Sequence, residues 1–272
     1  MRKVLYAFLT VVIFCIMQGL FGVIAVAVTI ALKQDQGNGI SPIPLAFALI
    51  LSGLMTILIC WKGLRTIELP DTFNCRNLNF SWALVAIVAS LAGVFAGDLL
   101  TEIMELPNMI EDTMLQMAFN TWGILAVTLV GPVVEELLFR EGICGYLSRN
   151  GMKSWPAIWI SAILFGIIHL NPAQVPFAIL MGLILGVIYM KTGSIVLTSI
   201  IHVLNNSFAV IQVWTLGDRA KDFSMVEWVG GNTAAGICII VGATACFYLL
   251  RRFWEEYPTI TEDETEAYNK NP

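Results

Sequence analysis

Charge is scarce in this chain. Only 13% of its 272 residues are Asp, Glu, Lys or Arg, 57% are hydrophobic and the mean hydropathy is +0.78, whereas soluble domains carry roughly a quarter charged residues. Water is therefore excluded as the main solvent. Cysteine is present but unpatterned: Cys15, Cys60, Cys238 and Cys246 fall inside apolar runs, Cys75 lies between runs and Cys144 follows a charged motif. Without a CxxC or regular spacing, no disulfide framework is expected. Nucleotide-binding loops, nucleic-acid motifs and internal repeats are all lacking. The net charge of −5 comes largely from Glu255, Glu256, Glu262, Asp263, Glu264 and Glu266 near the end of the chain, so no nucleic-acid partner is expected. Histidine occurs only twice.

What the chain has instead is long apolar runs. Crossing a bilayer core of about 30 Å takes roughly 20 apolar residues in a helix. Runs of that kind predict spans near residues 4–32, 43–61, 81–99, 119–138, 155–170, 173–190, 193–211 and 232–250. Gly37-Asn38-Gly39, Asn171-Pro172, Thr192-Gly193 and Gly230-Gly231-Asn232 supply breaks between them. The expected fold is all-α, a polytopic transmembrane helix bundle of about eight spans. It forms a single domain over 1–254, with a motif-bearing core near 119–211 and an acidic, disordered cytoplasmic tail over 255–272. The start, Met1-Arg2-Lys3 before an apolar run, resembles a signal peptide with Ala25-Val26-Ala27 as a candidate cleavage site. The run ahead of that site exceeds the roughly 7–15 residues of an ordinary h-region, which favours an uncleaved first span.

Lys and Arg gather in cytoplasmic loops of membrane proteins. With eight spans, eleven of the fifteen lie on the side of the N-terminus, Lys33, Arg219 and Lys221 lie opposite, and Arg140 is set aside as intramembrane. The acidic stretch with Glu102, Glu105, Glu111 and Asp112 suits the opposite side. A multi-pass protein of the cell membrane with both termini cytoplasmic is expected, with membrane lipid as its surroundings.

Charged residues within spans persist mainly where they line a cavity or do chemistry. Three places qualify: Glu135-Glu136-Leu137-Leu138-Phe139-Arg140, Phe165-Gly166-Ile167-Ile168-His169 and His202-Val203-Leu204-Asn205-Asn206. Residues four apart share a helical face. Glu136 can then pair with Arg140, leaving Glu135 free to bind something else, and His202 with Asn206 can present an imidazole and a carboxamide to one point. Glu135 lies 17 residues before Met152 and His169 lies 17 after it, so a hairpin turning there brings both to one level. A carboxylate, two imidazoles and a carboxamide suffice to hydrolyse an amide. Water held by Glu135 and His169 can be deprotonated, while His202 and Asn206 donate to the tetrahedral oxyanion.

The trio EExxxR, FxxxH and HxxxN, in this order on successive membrane helices, resembles the CPBP family of intramembrane glutamic endopeptidases, which includes CAAX proteases and bacteriocin-processing enzymes. The resemblance covers about residues 120–210. It implies a membrane endopeptidase needing no cofactor, with Glu135 and His169 activating water, His202 and Asn206 forming the oxyanion site, and Glu136 and Arg140 in support. A membrane-associated peptide or protein is the implied substrate. Three rival readings stay open. Zinc accepts ligands such as Glu135, His169 and His202, although HExxH is absent. A histidine paired with Cys144 or Ser199 is a nucleophilic alternative. A proton-coupled transporter or a non-enzymatic scaffold also employs intramembrane Glu and His.

Overall fold

A computed structural model describes residues 2–32, 40–69, 73 and 78–258. The expected break at Gly37-Asn38-Gly39, Cys75 and most of the acidic tail lie outside the described residues. The helices are α1 (Arg2–Ala31), α2 (Pro42–Leu58, continuing as π-helix over Ile59–Leu64), α3 (Phe80–Ile103), α4 (Glu111–Ala118) and α5 (Thr121–Arg149). They are followed by α6 (Ser154–Ile167), α7 (Val175–Thr192), α8 (Ile195–Leu216) and α9 (Asn232–Glu256). Local chemistry sets several starts. Pro42 opens α2 at a position where its missing N–H is harmless. Asn79, Asn120 and Ser194 each accept a hydrogen bond from the first turn of α3, α5 and α8, satisfying donors the helix itself cannot. Gly193 ends α7 at φ 63°, the left-handed cap that glycine adopts without steric penalty.

Among the described residues seven helices are long and apolar enough to cross a membrane: α1, α2 through Leu64, α3, α5, α7, α8 and α9. The expected fifth span is the exception. The α6 helix has 14 residues, about 21 Å at 1.5 Å per residue. Pro172 follows, disfavouring helix at the residue before it, and Leu170 adopts φ 50°. The ends of the helices nonetheless alternate. Lys3 donates to the carbonyl of Asn150, Arg149 to that of Thr66, and Trp155 and Lys191 both meet Trp254, which gathers those residues at one end of the bundle. At the other, Ala173 N–H donates to the Pro107 carbonyl, Met109 N–H to Asn171 Oδ1, and Trp214 Nε1 to the Ala118 carbonyl. Short as it is, α6 runs from the first of these ends, at Asn150 and Trp155, to a turn bonded to the second. There the buried Asn171 carboxamide, bonded also to Asn108 at 2.9 Å, satisfies non-helical backbone. The described starts of α1 and end of α9 thus share one end.

Tail and helix also meet differently from expectation. The α9 helix runs through Glu256, and Arg251–Glu255 and Arg252–Glu256 pairs at 2.9 and 2.7 Å run along its last turns, so the first acids of the expected tail are helical. The core lies around α5. Leu138, Phe139, Ile158, Phe165 and Ile195 are buried together, and a second cluster joins α3, α7, α8 and α9 through Ala86, Leu185, Leu197 and Phe253. Close approach of α6 and α7 depends on small residues, as is usual where lipid removes the hydrophobic drive between helices. A Cβ on Gly166 would stand 2.3 Å from Ile179 Cγ1, and one on Gly182 would stand 2.8 Å from Ala162 Cα. By contrast α1 and α9 expose Phe8, Ile16, Val23, Val241 and Phe247 outward, as lipid-facing helices do.

Candidate active site

The site is built on α5, whose register is not uniform. Leu125–Val130 and Leu137–Gly145 are π-helical, and the α-helical turns Gly131–Glu136 between them carry both glutamates. Such widened turns gather at functional sites because they re-aim side chains. Glu136 and Arg140 are each fully buried and form an ion pair, Oε2 to Nε, at 3.0 Å. His202, nearly buried on α8, places Nδ1 3.0 Å from Glu136 Oε1. Because Glu136 is an acceptor facing Arg140, His202 Nδ1 carries the proton. Its other nitrogen is thereby turned to Glu135, with Nε2 3.7 Å from Glu135 Oε2. Glu135 keeps 23% of its side-chain surface exposed and makes no pair with Arg140.

His169 lies in the turn just after α6. Its Nδ1 is 2.8 Å from the Phe165 carbonyl, so Nδ1 is again the protonated nitrogen and Nε2 holds the lone pair. The Phe165 ring separates the imidazoles, with centroids 5.1 Å from His169 and 5.8 Å from His202, both edge-to-face. On its own face it carries the Arg140 guanidinium at 4.8 Å. That contact matters, since Arg140 Nη1 and Nη2 meet no hydrogen-bond acceptor among the described residues. Asn206 Nδ2 donates to the Val127 carbonyl at 2.8 Å, and its Oδ1 accepts from Asn205 at 3.0 Å.

The structure thus joins Glu135, Glu136, Arg140 and His202 directly and connects His169 to them through Phe165. No hydrogen bond or ion pair joins Glu135 to His169 among the described residues, and Asn206 is tied to α5 rather than to His202. Phe165, the first residue of the FxxxH motif, is buried and packs edge-to-face between both histidines. Cys144 is fully buried, and Ser199 Oγ, also buried, bonds to neither histidine. Among the described residues no three His, Cys, Asp or Glu side chains are grouped to hold a metal ion.

Three features escaped the sequence reading. A network reaching from the interior to the surface at the end of α5 has Tyr189 donating to the buried Glu141, with Arg149 pairing to Glu141 at 2.8 Å and to the exposed Glu68 at 3.4 Å. Asp98 sits inside α3, and its charge within an apolar run was the signal available. The π register of α5 was signalled by Gly131-Pro132, a helix breaker in the middle of a span.

Residues 117–208 match the family described as type II CAAX prenyl endopeptidase Rce1-like. This segment resembles that family. It contains every residue of the site, and the likeness first carried by the three motifs holds over it. Two curated relatives match a similar extent. "Putative membrane peptidase YdiL" of Bacillus subtilis (strain 168) is 31% identical over 88 residues, 32% of this chain and 36% of the relative. "Membrane-embedded CAAX protease MroQ" of Staphylococcus aureus (strain USA300) is 33% identical over 94 residues, 32% of this chain and 38% of the relative. The chain therefore spans little more than a third of the length of either. No solved structure matches it.

The Rce1-like core also carries a stability prediction. Replacing Glu136 by glutamine leaves the fully buried Arg140 without its counter-charge, a loss that typically costs about 3–5 kcal/mol. The apparent Tm in detergent should fall well below that of Glu135→Gln, whose carboxylate pairs with no cation of fixed charge; equal Tm values for the two would contradict this.

Proposed function

We propose that this protein is an intramembrane endopeptidase that hydrolyses a peptide bond in a membrane-associated peptide or protein through water activated by Glu135 and His169. The reading rests on one observation above the others: both histidines have Nδ1 committed, to the Phe165 carbonyl and to Glu136, at 2.8 and 3.0 Å. His169 is fixed in tautomer and both rings are fixed in aim, and each Nε2 is left for chemistry. In support stand the Rce1-like segment and relatives whose names describe a membrane peptidase and a membrane-embedded CAAX protease.

Water hydrogen-bonded to His169 Nε2 gives its proton to Glu135, and the hydroxide attacks the scissile carbonyl carbon. Negative charge developing on the carbonyl oxygen is met by the free Nδ2 hydrogen of Asn206 and by His202 Nε2. To donate there, His202 carries protons on both nitrogens, and Glu136 lies against the resulting charge. Collapse of the tetrahedral intermediate breaks the C–N bond, and Glu135 returns the proton to the leaving amine. Purified protein in proteoliposomes should cleave membrane-anchored peptides, with fragments identified by mass spectrometry. Fragment release unchanged in Glu135→Ala would overturn the proposal.

Orientation follows from charge. The end of the bundle gathering Lys3, Arg149, Lys191 and Arg252 is assigned to the cytoplasm by the positive-inside rule. Reporter domains fused after Ala220 and after Glu256 should report opposite sides, the second cytoplasmic; the same side for both would refute the arrangement.

A further inference from the structure

We infer that Pro132 is a positioning residue for Asn206: by withholding the N–H that the π register assigns to the Val127 carbonyl, it leaves that carbonyl to hold the Asn206 carboxamide in the site. At the end of the π segment Leu125–Val130 the N–H of Gly131 reaches back five residues, to the Ala126 carbonyl. The next residue in that register is Pro132, whose partner would be Val127. Proline has no N–H to give. From there the chain runs α-helically over Gly131–Glu136, where N–H groups reach back four residues, so the change of register passes over the Val127 carbonyl. A carbonyl removed in part from water needs a donor, and Asn206 Nδ2 supplies it at 2.8 Å.

Gly131 completes the device. A Cβ there would stand 2.8 Å from the Ala126 oxygen, so glycine permits the last π bond and proline ends the series. The consequence reaches the site through chemistry alone. A carbonyl accepts only from the NH2 end of the carboxamide, and Asn205 Nδ2 holds the oxygen end at 3.0 Å. Asn206 therefore has a single orientation, with one Nδ2 hydrogen bonded to α5 and the other free. The helix that presents Glu135, α5, thus also sets Asn206 of α8, and the two groups keep a fixed relation.

The inference rests on the reading of Asn206 as an oxyanion donor, and its test separates the two. Pro132→Ala and Pro132→Gly each restore an N–H that competes for the Val127 carbonyl, with different side chains. In both, kcat for peptide hydrolysis should fall about tenfold to a hundredfold with KM little changed, as small misplacements of a reacting group do. The second readout needs no activity. Asn206→Ala strips the Val127 carbonyl of its donor and should lower apparent Tm by about 2–4 °C, whereas the same change made in the Pro132→Ala background should cost little, the carbonyl having its own backbone partner. Wild-type kcat in both proline variants, or an undiminished Tm cost in that background, overturns the inference. Full kcat in Asn206→Ala alone would instead remove the oxyanion role of Asn206 while the Tm cycle still judges the link to Val127.

Discussion

Glu135→Gln should reduce peptide hydrolysis by about 10²–10⁴-fold, the range general-base catalysis supplies, with Tm and detergent behaviour close to wild type. Glutamine keeps the length and shape of the side chain and removes only the ability to take a proton. The structural cost is small because Glu135 is partly exposed at 23% and pairs with no arginine; it contacts the imidazole of His202, Nε2 at 3.7 Å. Glu136, one residue on, is fully buried between Arg140 and His202. The two glutamates are therefore distinguished by which property fails: activity alone at 135, activity and stability together at 136. On the proposed mechanism His169→Ala should match Glu135→Gln in rate, its Nε2 lone pair being the other hold on the water. Initial rates on one peptide, set beside melting curves of the same preparations, provide the check. Full activity in Glu135→Gln alongside an inactive Ser199→Ala or Cys144→Ala would transfer the chemistry to a nucleophile.

What the sequence disclosed and what it concealed divide along the range of the interactions. The pairing of Glu136 with Arg140, and the freedom of Glu135 from it, follow from helical spacing and are present at 3.0 Å. Apolar run lengths predicted an all-α bundle, and the starts of the helices agree within two residues, whereas α8 and α9 run on to Leu216 and Glu256 past the expected 211 and 250, and α5 continues to Arg149 where an end near 138 was expected. That extension carries Glu141 and Arg149, whose polarity reads as loop until Tyr189 and Glu68 are seen to satisfy them. The short α4 went unread because it has polar residues at Glu111, Asp112 and Gln116 and no apolar run. HxxxN suggested that His202 and Asn206 act as one unit. In the structure each is anchored instead to α5, His202 by Glu136 and Asn206 by Val127, and no spacing within α8 encodes a partner on another helix. The bond from a carboxamide to a carbonyl orphaned by a π turn is the least legible of all, because it requires knowing the register of a backbone whose side chains look uniformly apolar.

Asn206→Asp should lose activity at least as severely as removal of an oxyanion-hole donor, about 10²–10³-fold, and chelators should leave the wild-type enzyme active. The substitution changes one atom type and inverts two interactions. Opposite the Val127 carbonyl, now 2.8 Å from a donor, it sets an oxygen against an oxygen. Toward the substrate it replaces the free Nδ2 hydrogen with negative charge where negative charge develops in the transition state. A zinc site makes the contrary demand. Zinc supplies the acidity of the bound water itself, with a pKa near about 7, and carboxylate is a better ligand for it than carboxamide, so Asp at 206 would be tolerated or even add a ligand. The two chemistries therefore predict opposite responses to one pair of measurements: hydrolysis after dialysis against a strong chelator, and hydrolysis by Asn206→Asp with and without added zinc. Activity lost to chelation, restored by zinc and retained in Asn206→Asp would assign His202 and Asn206 to a metal. Activity indifferent to chelator and lost in Asn206→Asp fits a site in which the carboxamide, held by the α5 backbone, faces the oxyanion and Glu135 holds the proton.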